Sequence, residues 1–313
     1  MTNPVLPTAA ADRKFLLLLT AALVVLLAIS FVLRSRAKSH EESLALESRS
    51  GEFQVAKLEA KSAYVYDART KTVLFAHNEN TRLPLASLTK VMAALVASQM
   101  TSLNSTVTVE NDALKTEGDS GLKVGEKWSL GTLLDFSLIS SSNDGIHAVA
   151  LALGGVESGS NEEVVEDFVR MMNRKAGELD LKNTYYWNAT GLDESDLKGG
   201  AYGTARDMAT LLEYAISYYP ETFEATRESS LILTSLDNEP HLAKNTNALA
   251  AAIPGLLASK TGYTDTAGGN LIFAFDPELG RPIIVTILGS TAEGRFEDAQ
   301  KLVNATLTYL NSQ

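Results

Sequence analysis

Three short clusters in this 313-residue chain hold side chains able to do covalent chemistry. The first is Ser87-Leu88-Thr89-Lys90. On a helix, positions i and i+3 share a face, so the Lys90 amine can reach the Ser87 hydroxyl. A serine attacks a carbonyl readily only when a neighbouring base takes its proton. A lysine becomes such a base when burial or nearby cations lower its pKa. At a helix N-terminus Ser87 would also meet free backbone N–H groups and the positive end of the helix dipole, both of which favour developing negative charge. The second cluster, Ser141-Ser142-Asn143, offers a proton shuttle in Ser141 and a hydrogen-bond donor to a substrate amide in Asn143. The third, Lys260-Thr261-Gly262, offers a cation and a hydroxyl to a carboxylate, and a glycine that lets a ligand backbone approach a strand edge. Taken singly, each has a plain structural explanation: a capping serine with a surface lysine, a polar loop between helices, and an ordinary strand end.

Composition narrows the chemistry. With no cysteine, disulfides, thiolate zinc sites and thiol catalysis are excluded. The four histidines, His40, His77, His147 and His241, form no H-E-x-x-H or paired spacing, so no metal and no other cofactor is expected. A hydrolase built on this chain takes its base from lysine or a carboxylate. The formal net charge of -11 argues against nucleic acid as a partner, since that needs cationic surface.

The elements that must position these groups follow from patterning. Ser62 to Asp67 alternates and is rich in Tyr and Val, and Lys71 to Ala76 reads as a second strand across an Ala68-Arg69-Thr70 turn. Pro84 precedes a helical run, Ser87 to Met100. The middle, Thr106 to Tyr219, is expected to be mostly helical, most clearly over Leu133 to Ile139 and Val164 to Ala176. Strand-like runs at Gly255 to Thr261, Asn270 to Phe275 and Pro282 to Leu288 precede a last helix, Arg295 to Leu310. Strands at both ends with helices between predict an α+β fold, one antiparallel sheet flanked by helices plus a helical subdomain.

Phe15 to Leu33 contains only Thr20 and Ser30 as polar residues, long enough for the roughly 30 Å hydrocarbon core. The expected organisation is a short cytoplasmic tail (1–13), a single-pass transmembrane anchor (14–33), a polar linker (34–55) and a catalytic domain (56–313). Arg13 and Lys14 precede the span, while Arg34, Arg36 and Lys38 follow it. The charge count therefore slightly favours the opposite orientation, and an extracytoplasmic catalytic domain is expected on functional grounds.

The order S-x-x-K, S-x-N, K-T-G is that of the active-site serine penicillin-recognising enzymes. Within that group the chain resembles the D-alanyl-D-alanine carboxypeptidases of the S11 serine peptidase family, the low-molecular-mass penicillin-binding proteins. The likeness runs from about Ala56 to Gln313. It rests on Pro84-Leu85-Ala86-Ser87-Leu88-Thr89-Lys90-Val91-Met92, on Ser141-Ser142-Asn143-Asp144, and on Phe168 to Ala176 with Met172-Asn173 inside it. Asn183-Thr184, Gly191-Leu192, Thr204-Ala205-Arg206-Asp207-Met208-Ala209, Lys260 to Thr264, Ala267-Gly268, Asn270-Leu271 and Gly294-Arg295 extend it. The resemblance implies a β-lactamase/transpeptidase-like fold and removal of the terminal D-alanine from peptidoglycan stem peptides ending in D-Ala-D-Ala, with β-lactams as covalent inhibitors. It implies Ser87 as nucleophile, Lys90 as base and Ser141 as proton carrier to the leaving amine. It further implies substrate contacts from Asn143, Lys260, Thr261, Gly262, Tyr263 and Arg295, with the Ser87 and Tyr263 N–H groups as oxyanion hole. Lys260 would tune the proton network electrostatically, and Thr261 and Arg295 would hold the terminal carboxylate.

The chain departs from the family pattern in three places. Gly145 stands where alanine is commoner after S-x-N-D. The apolar span precedes the catalytic domain, whereas many relatives use a C-terminal amphipathic helix. The small β-rich domain that many relatives carry after Arg295 is not expected. Three alternatives remain: a D,D-endopeptidase of the same family, a class A-like β-lactamase using Glu178 of Glu178-Leu179-Asp180-Leu181-Lys182, and a non-catalytic wall-binding module.

Overall fold

Ser62–Asp67 (β1) is buried at nearly every position, the mark of a strand covered on both faces. It pairs antiparallel with Thr72–His77 (β2) on one side and with a late strand, Ile283–Ser290, on the other, Val65 lying opposite Val285. In this computed structural model, which describes residues 52–118, 120–155 and 159–313 together with Arg34, β1 thereby joins the two ends of the catalytic sequence in one sheet. The tail at 1–13 and the apolar span at 14–33 lie outside the described residues, Arg34 being the only described position before Glu52. Among the described residues no helix is long and apolar enough to cross a membrane.

Between the sheet's halves stand a hairpin, Ser230–Thr234 (β3) and Pro240–Lys244 (β4), and the strands Leu256–Thr264 (β5) and Gly268–Phe275 (β6); Ile283–Ser290 is β7. The main sheet has the order β5-β6-β7-β1-β2, antiparallel throughout. This is the α+β arrangement expected. The β3–β4 hairpin was not anticipated. Its alternation is inverted, with Ile232 and Leu242 directly opposite each other and 73% and 66% exposed. An outward apolar pair gives no pattern that burial would impose. The short pairings of Leu83–Pro84 and Tyr185–Tyr186 with Ala201–Gly203 are two or three residues long and leave no periodic trace.

Thr89–Met100 (α1) is apolar on all sides, with every residue from Thr89 to Ala97 buried. A helix of that kind belongs inside a domain. It packs among Leu130–Ser140 (α2), Asn143–Leu153 (α3), Asn161–Glu178 (α4) and Ala205–Tyr218 (α5), and α5 in turn covers β1, β6 and β7. Side-chain oxygens of Ser142, Ser160 and Thr204 accept from backbone N–H groups at the starts of α3, α4 and α5, so these helices begin where their orphan donors are satisfied. The last helix, Gly294–Asn311 (α6), is held by Asp298, which accepts from the N–H of Ala60 at 2.8 Å and from Ser290 Oγ at 3.1 Å. Phe53–Thr308 form one compact unit; a second comprises residues 1–52 with Tyr309–Gln313, of which Arg34, Glu52 and the end of α6 are described.

Candidate active site

Ser87 lies in a 3-10 turn, Ala86–Leu88, and the α-helix begins only at Thr89. The reason is Ala86, whose φ of 48° no right-handed helix can contain. Its neighbours hold this strained turn. Asn270 of β6 donates to the carbonyls of Pro84 at 2.9 Å and Leu85 at 3.1 Å, and its Oδ1 accepts from the N–H of Gly289 at 2.8 Å. Thr89 Oγ1 donates to Ala86 O at 2.7 Å. Gly191, at a φ of 84°, faces the same oxygen, and a Cβ built on it would lie 1.9 Å away. From β5, Gly262 comes so near that a Cβ there would sit 3.1 Å from Ser87 N.

Lys90 is fully buried on the first turn of α1. Its Nζ has three oxygens around it: Ser87 Oγ at 2.8 Å, Asn143 Oδ1 at 2.7 Å and the Thr190 carbonyl at 2.8 Å. Burial brings its pKa down from 10.5 to about 7. A neutral amine has two N–H donors and one lone pair. Asn143 Oδ1 and Thr190 O are acceptors only, so they take the two donors. The lone pair then faces the one neighbour that has a proton to give, the Ser87 hydroxyl.

The S-x-N cluster is the seam between two helices. Ser141 ends α2 in the left-handed conformation, with a φ of 62°, and Ser142 caps α3 by accepting from Gly145 N at 2.9 Å. The sharp reversal aims Ser141 Oγ at Lys260 Nζ, 2.8 Å away. Asn143 is committed at both ends of its amide. Besides taking the Lys90 hydrogen bond, it donates to the Glu117 carbonyl at 2.7 Å, leaving one N–H for a ligand. Asp144 beside it is bound to Ser120 Oγ at 2.8 Å.

Lys260 is also buried, and its pKa is well below the usual value, through burial first and then the positive charges of Lys90 and Arg295. It donates to Ser141 Oγ and, at 2.7 Å, to the carbonyl of Thr261. The Thr261 hydroxyl meets that of Thr246 at 2.5 Å. Arg295 reaches across from α6, with Nη1 donating to Gly262 O at 2.7 Å, while its buried Nε has no partner among the described residues. Burial lowers the Arg295 pKa as well. The Tyr263 side chain is 52% exposed beside them.

The structure thus brings Ser87, Lys90 and Asn143 into one hydrogen-bonded group and Ser141, Lys260 and Thr261 into a second. Gly262 lies against the serine turn and Arg295 against Gly262. Sequence reading did not assign roles to Thr190, Gly191, Thr246 and Asn270. Thr190 acts through its carbonyl and leaves no side-chain signal, whereas Gly191 and Asn270 stand inside segments that matched the family pattern. Glu178, the carboxylate a class A-like deacylation would use, is half exposed and paired with Lys175 on the surface of α4. The arrangement can activate a serine with a neutral lysine, supply a proton through Ser141 on the opposite side, and receive an anion at Thr261 and Arg295.

The S11 peptidase family, described as D-alanyl-D-alanine carboxypeptidase, matches residues 49–292. The D-alanyl-D-alanine carboxypeptidase DacF of Bacillus subtilis is 34% identical over 255 residues, covering 79% of this chain and 61% of that protein. DacB2 of Mycobacterium tuberculosis is 32% identical over 236 residues, covering 75% and 77%. The chain therefore spans less than two thirds of the former's length. Among solved structures, a D-alanyl-D-alanine carboxypeptidase from Mycobacterium tuberculosis superposes with a TM-score of 0.72 at 29% identity, covering 82% of this chain and 94% of that one. The Streptomyces K15 DD-transpeptidase gives 0.71 at 26% identity, covering 80% and 98%.

Proposed function

The chain belongs to the S11 family of D-alanyl-D-alanine carboxypeptidases, and on that premise we propose that it removes the terminal D-alanine from peptidoglycan stem peptides through an acyl-enzyme on Ser87. The observation that carries this reading is the ordering around Lys90, in which two acceptors use its N–H groups and leave its lone pair to the Ser87 proton.

Lys90 takes that proton as Ser87 Oγ attacks the carbonyl carbon of the penultimate D-alanine. The N–H groups of Ser87 and Tyr263 receive the oxyanion, an interaction realised as the charge develops. The carbon–nitrogen bond then breaks as Ser141 gives its proton to the departing amine and takes in its place the proton that Lys90 received from Ser87, so that Lys90 is neutral again, with Lys260 holding the field that favours this transfer. Thr261 and Arg295 bind the terminal carboxylate, and the remaining Asn143 N–H binds the substrate amide. Water then adds to the ester, the neutral Lys90 accepting its proton and returning it to Ser87 Oγ as the ester bond breaks, which restores the serine. A β-lactam opens on the same serine and leaves it acylated.

The sequence supports residues 14–33 as a membrane anchor, and wall substrates require the catalytic domain on the extracytoplasmic side. Protease treatment of intact cells would degrade the domain and spare an N-terminal tag under this topology.

Penicillin-treated protein should give one covalent adduct, on the peptide containing Ser87, and the untreated protein should release D-alanine from a peptide ending in D-Ala-D-Ala. An adduct elsewhere would overturn the nucleophile. Transfer to an added amine in preference to water, or cleavage of cross-linked dimers in preference to monomers, would overturn the carboxypeptidase assignment.

A further inference from the structure

Beside the S-x-N seam lies a cavity of about 350 Å³. Its walls include Ser141 and Asn143, and its far side is formed by Leu242 and Lys244 of the β3–β4 hairpin. The described residues that line it are otherwise glycine, serine and Phe136, so Lys244 is the one charged group facing it. Among the described residues no carboxylate lines the cavity beside it. Among the described residues Lys244 has no ion pair, whereas the neighbouring charges of this hairpin are matched, His241 by Glu126 at 2.6 Å and Glu239 by Lys123 at 2.9 Å. On a chain of net charge -11 a cation with no ion pair among the described residues is conspicuous.

The chain after β4 holds Lys244 in place. Asn245 donates to the carbonyls of Thr226 and Glu228, each at 2.8 Å, and the N–H of Thr246 donates to Ile139 O at 3.1 Å. Two residues from Lys244, the Thr246 hydroxyl touches Thr261. The cavity therefore opens directly beside the cleft between the S-x-N and K-T-G clusters.

We propose that Leu242 and Lys244 form a specificity subsite for the side chain of the stem-peptide residue that precedes D-Ala-D-Ala, selecting a side chain that ends in a carboxylate. This rests on the peptidase reading above. That residue is a diamino acid, whose side chain ends either in an amine alone or in an amine flanked by a carboxylate. Asn143 fixes the backbone amide beside it, so its side chain falls toward the cavity that Asn143 lines. Leu242, 66% exposed, covers the methylenes, and Lys244 meets the terminal carboxylate. The pairing is solvent-accessible and changes rate modestly while setting preference.

The test measures D-alanine release from two pentapeptides, L-Ala-γ-D-Glu-X-D-Ala-D-Ala. X is meso-diaminopimelate with its side-chain carboxylate free, or the same residue with that carboxylate amidated. The wild-type protein should favour the free carboxylate in kcat/KM by about threefold to fivefold. K244A should bring the ratio to about one, and K244E should invert it, while penicillin labelling of Ser87 stays unchanged in both variants. Equal rates on the two peptides for the wild-type protein, or an equal loss on both in K244A, would overturn the subsite and leave the peptidase assignment standing. Release from neither peptide, with no penicillin labelling, would refute the peptidase assignment and the subsite with it.

Discussion

Gly191 and Ala86 fit together through a missing side chain: the Ala86 carbonyl occupies the space where a Cβ on Gly191 would lie, 1.9 Å from that oxygen. The contact pins the turn that presents Ser87, and the residue before Gly191 supplies the carbonyl that orients Lys90. Gly191→Ala meets both this clash and an unfavourable φ of 84°. It is expected to cost about 2 kcal/mol or more of stability and to slow acylation roughly a hundredfold by displacing the nucleophile. Thermal unfolding and timed labelling with a fluorescent penicillin measure the two effects separately.

Acylation should follow the ionisation of Lys90. With its pKa brought down to about 7, the amine is protonated and inactive in acid. The rate of β-lactam acylation should therefore rise about tenfold per pH unit up to about pH 7 and level off above it. A flat profile from about pH 5 to about pH 8 would remove Lys90 from the role of base.

The same burial costs stability, and the sign can be worked out. Below 10.5 the unfolded lysine holds a proton that the folded one sheds until about pH 7, so the unfolded state binds more protons across that window and stability rises with pH within it. Lys90→Met abolishes acylation and removes this contribution. Relative to wild type, the variant should gain most near pH 7 and progressively less toward pH 10.5. Lys260 shifts in the same direction, so the variant keeps part of the slope. Unfolding midpoints of both proteins across the window would settle the comparison.

How much of this was readable from residue order depends on the distance over which each contact acts. Ser87 and Lys90 are three residues apart on one turn, and helix geometry alone predicts their approach. Ser141 and Lys260 were picked out by motif, yet their 2.8 Å contact spans 119 positions and no periodicity encodes it. The central strands were visible because burial on both faces makes β1 and β7 rich in aromatic and β-branched residues. The left-handed Ala86 was not, since alanine ordinarily favours helix and here tertiary contacts from Asn270 and Gly191 override that preference. The β3–β4 hairpin escaped for the opposite reason, its apolar pair facing outward.

Arg295 holds the Gly262 carbonyl with one nitrogen and keeps another buried and, among the described residues, unpartnered, an arrangement that a carboxylate would complete. Arg295→Ala should raise KM for peptides with a free C-terminal carboxylate about tenfold or more. Arg295→Lys should recover only part of that loss, because an ammonium lacks the planar fork. A KM unchanged by either substitution would place the carboxylate elsewhere.

Gly145, in the first turn of α3, leaves room for Ser137; a Cβ there would fall 2.1 Å from Ser137 Oγ. Gly145→Ala alone should therefore be destabilising by about 1 to 2 kcal/mol. Combined with Ser137→Ala it should match or exceed wild-type stability, since alanine favours helix by about 1 kcal/mol over glycine. A double-mutant cycle by denaturant titration reads the coupling directly; additive effects would count against it.

The seam at Ser141 and Ser142 has a further implication for how such a chain can change over evolutionary time. Only two residues, the cap Ser141 and the cap Ser142, separate the end of one helix from the start of the next. A single insertion there would separate the cap of one helix from the cap of the next and shift Asn143 relative to Lys90, and a deletion would remove either the left-handed Ser141 or the Ser142 cap. Side chains along the two helices can be exchanged one at a time, but the count of residues through the seam is fixed. In descendants of this sequence, gains and losses of length should accumulate in the surface loops and spare this joint.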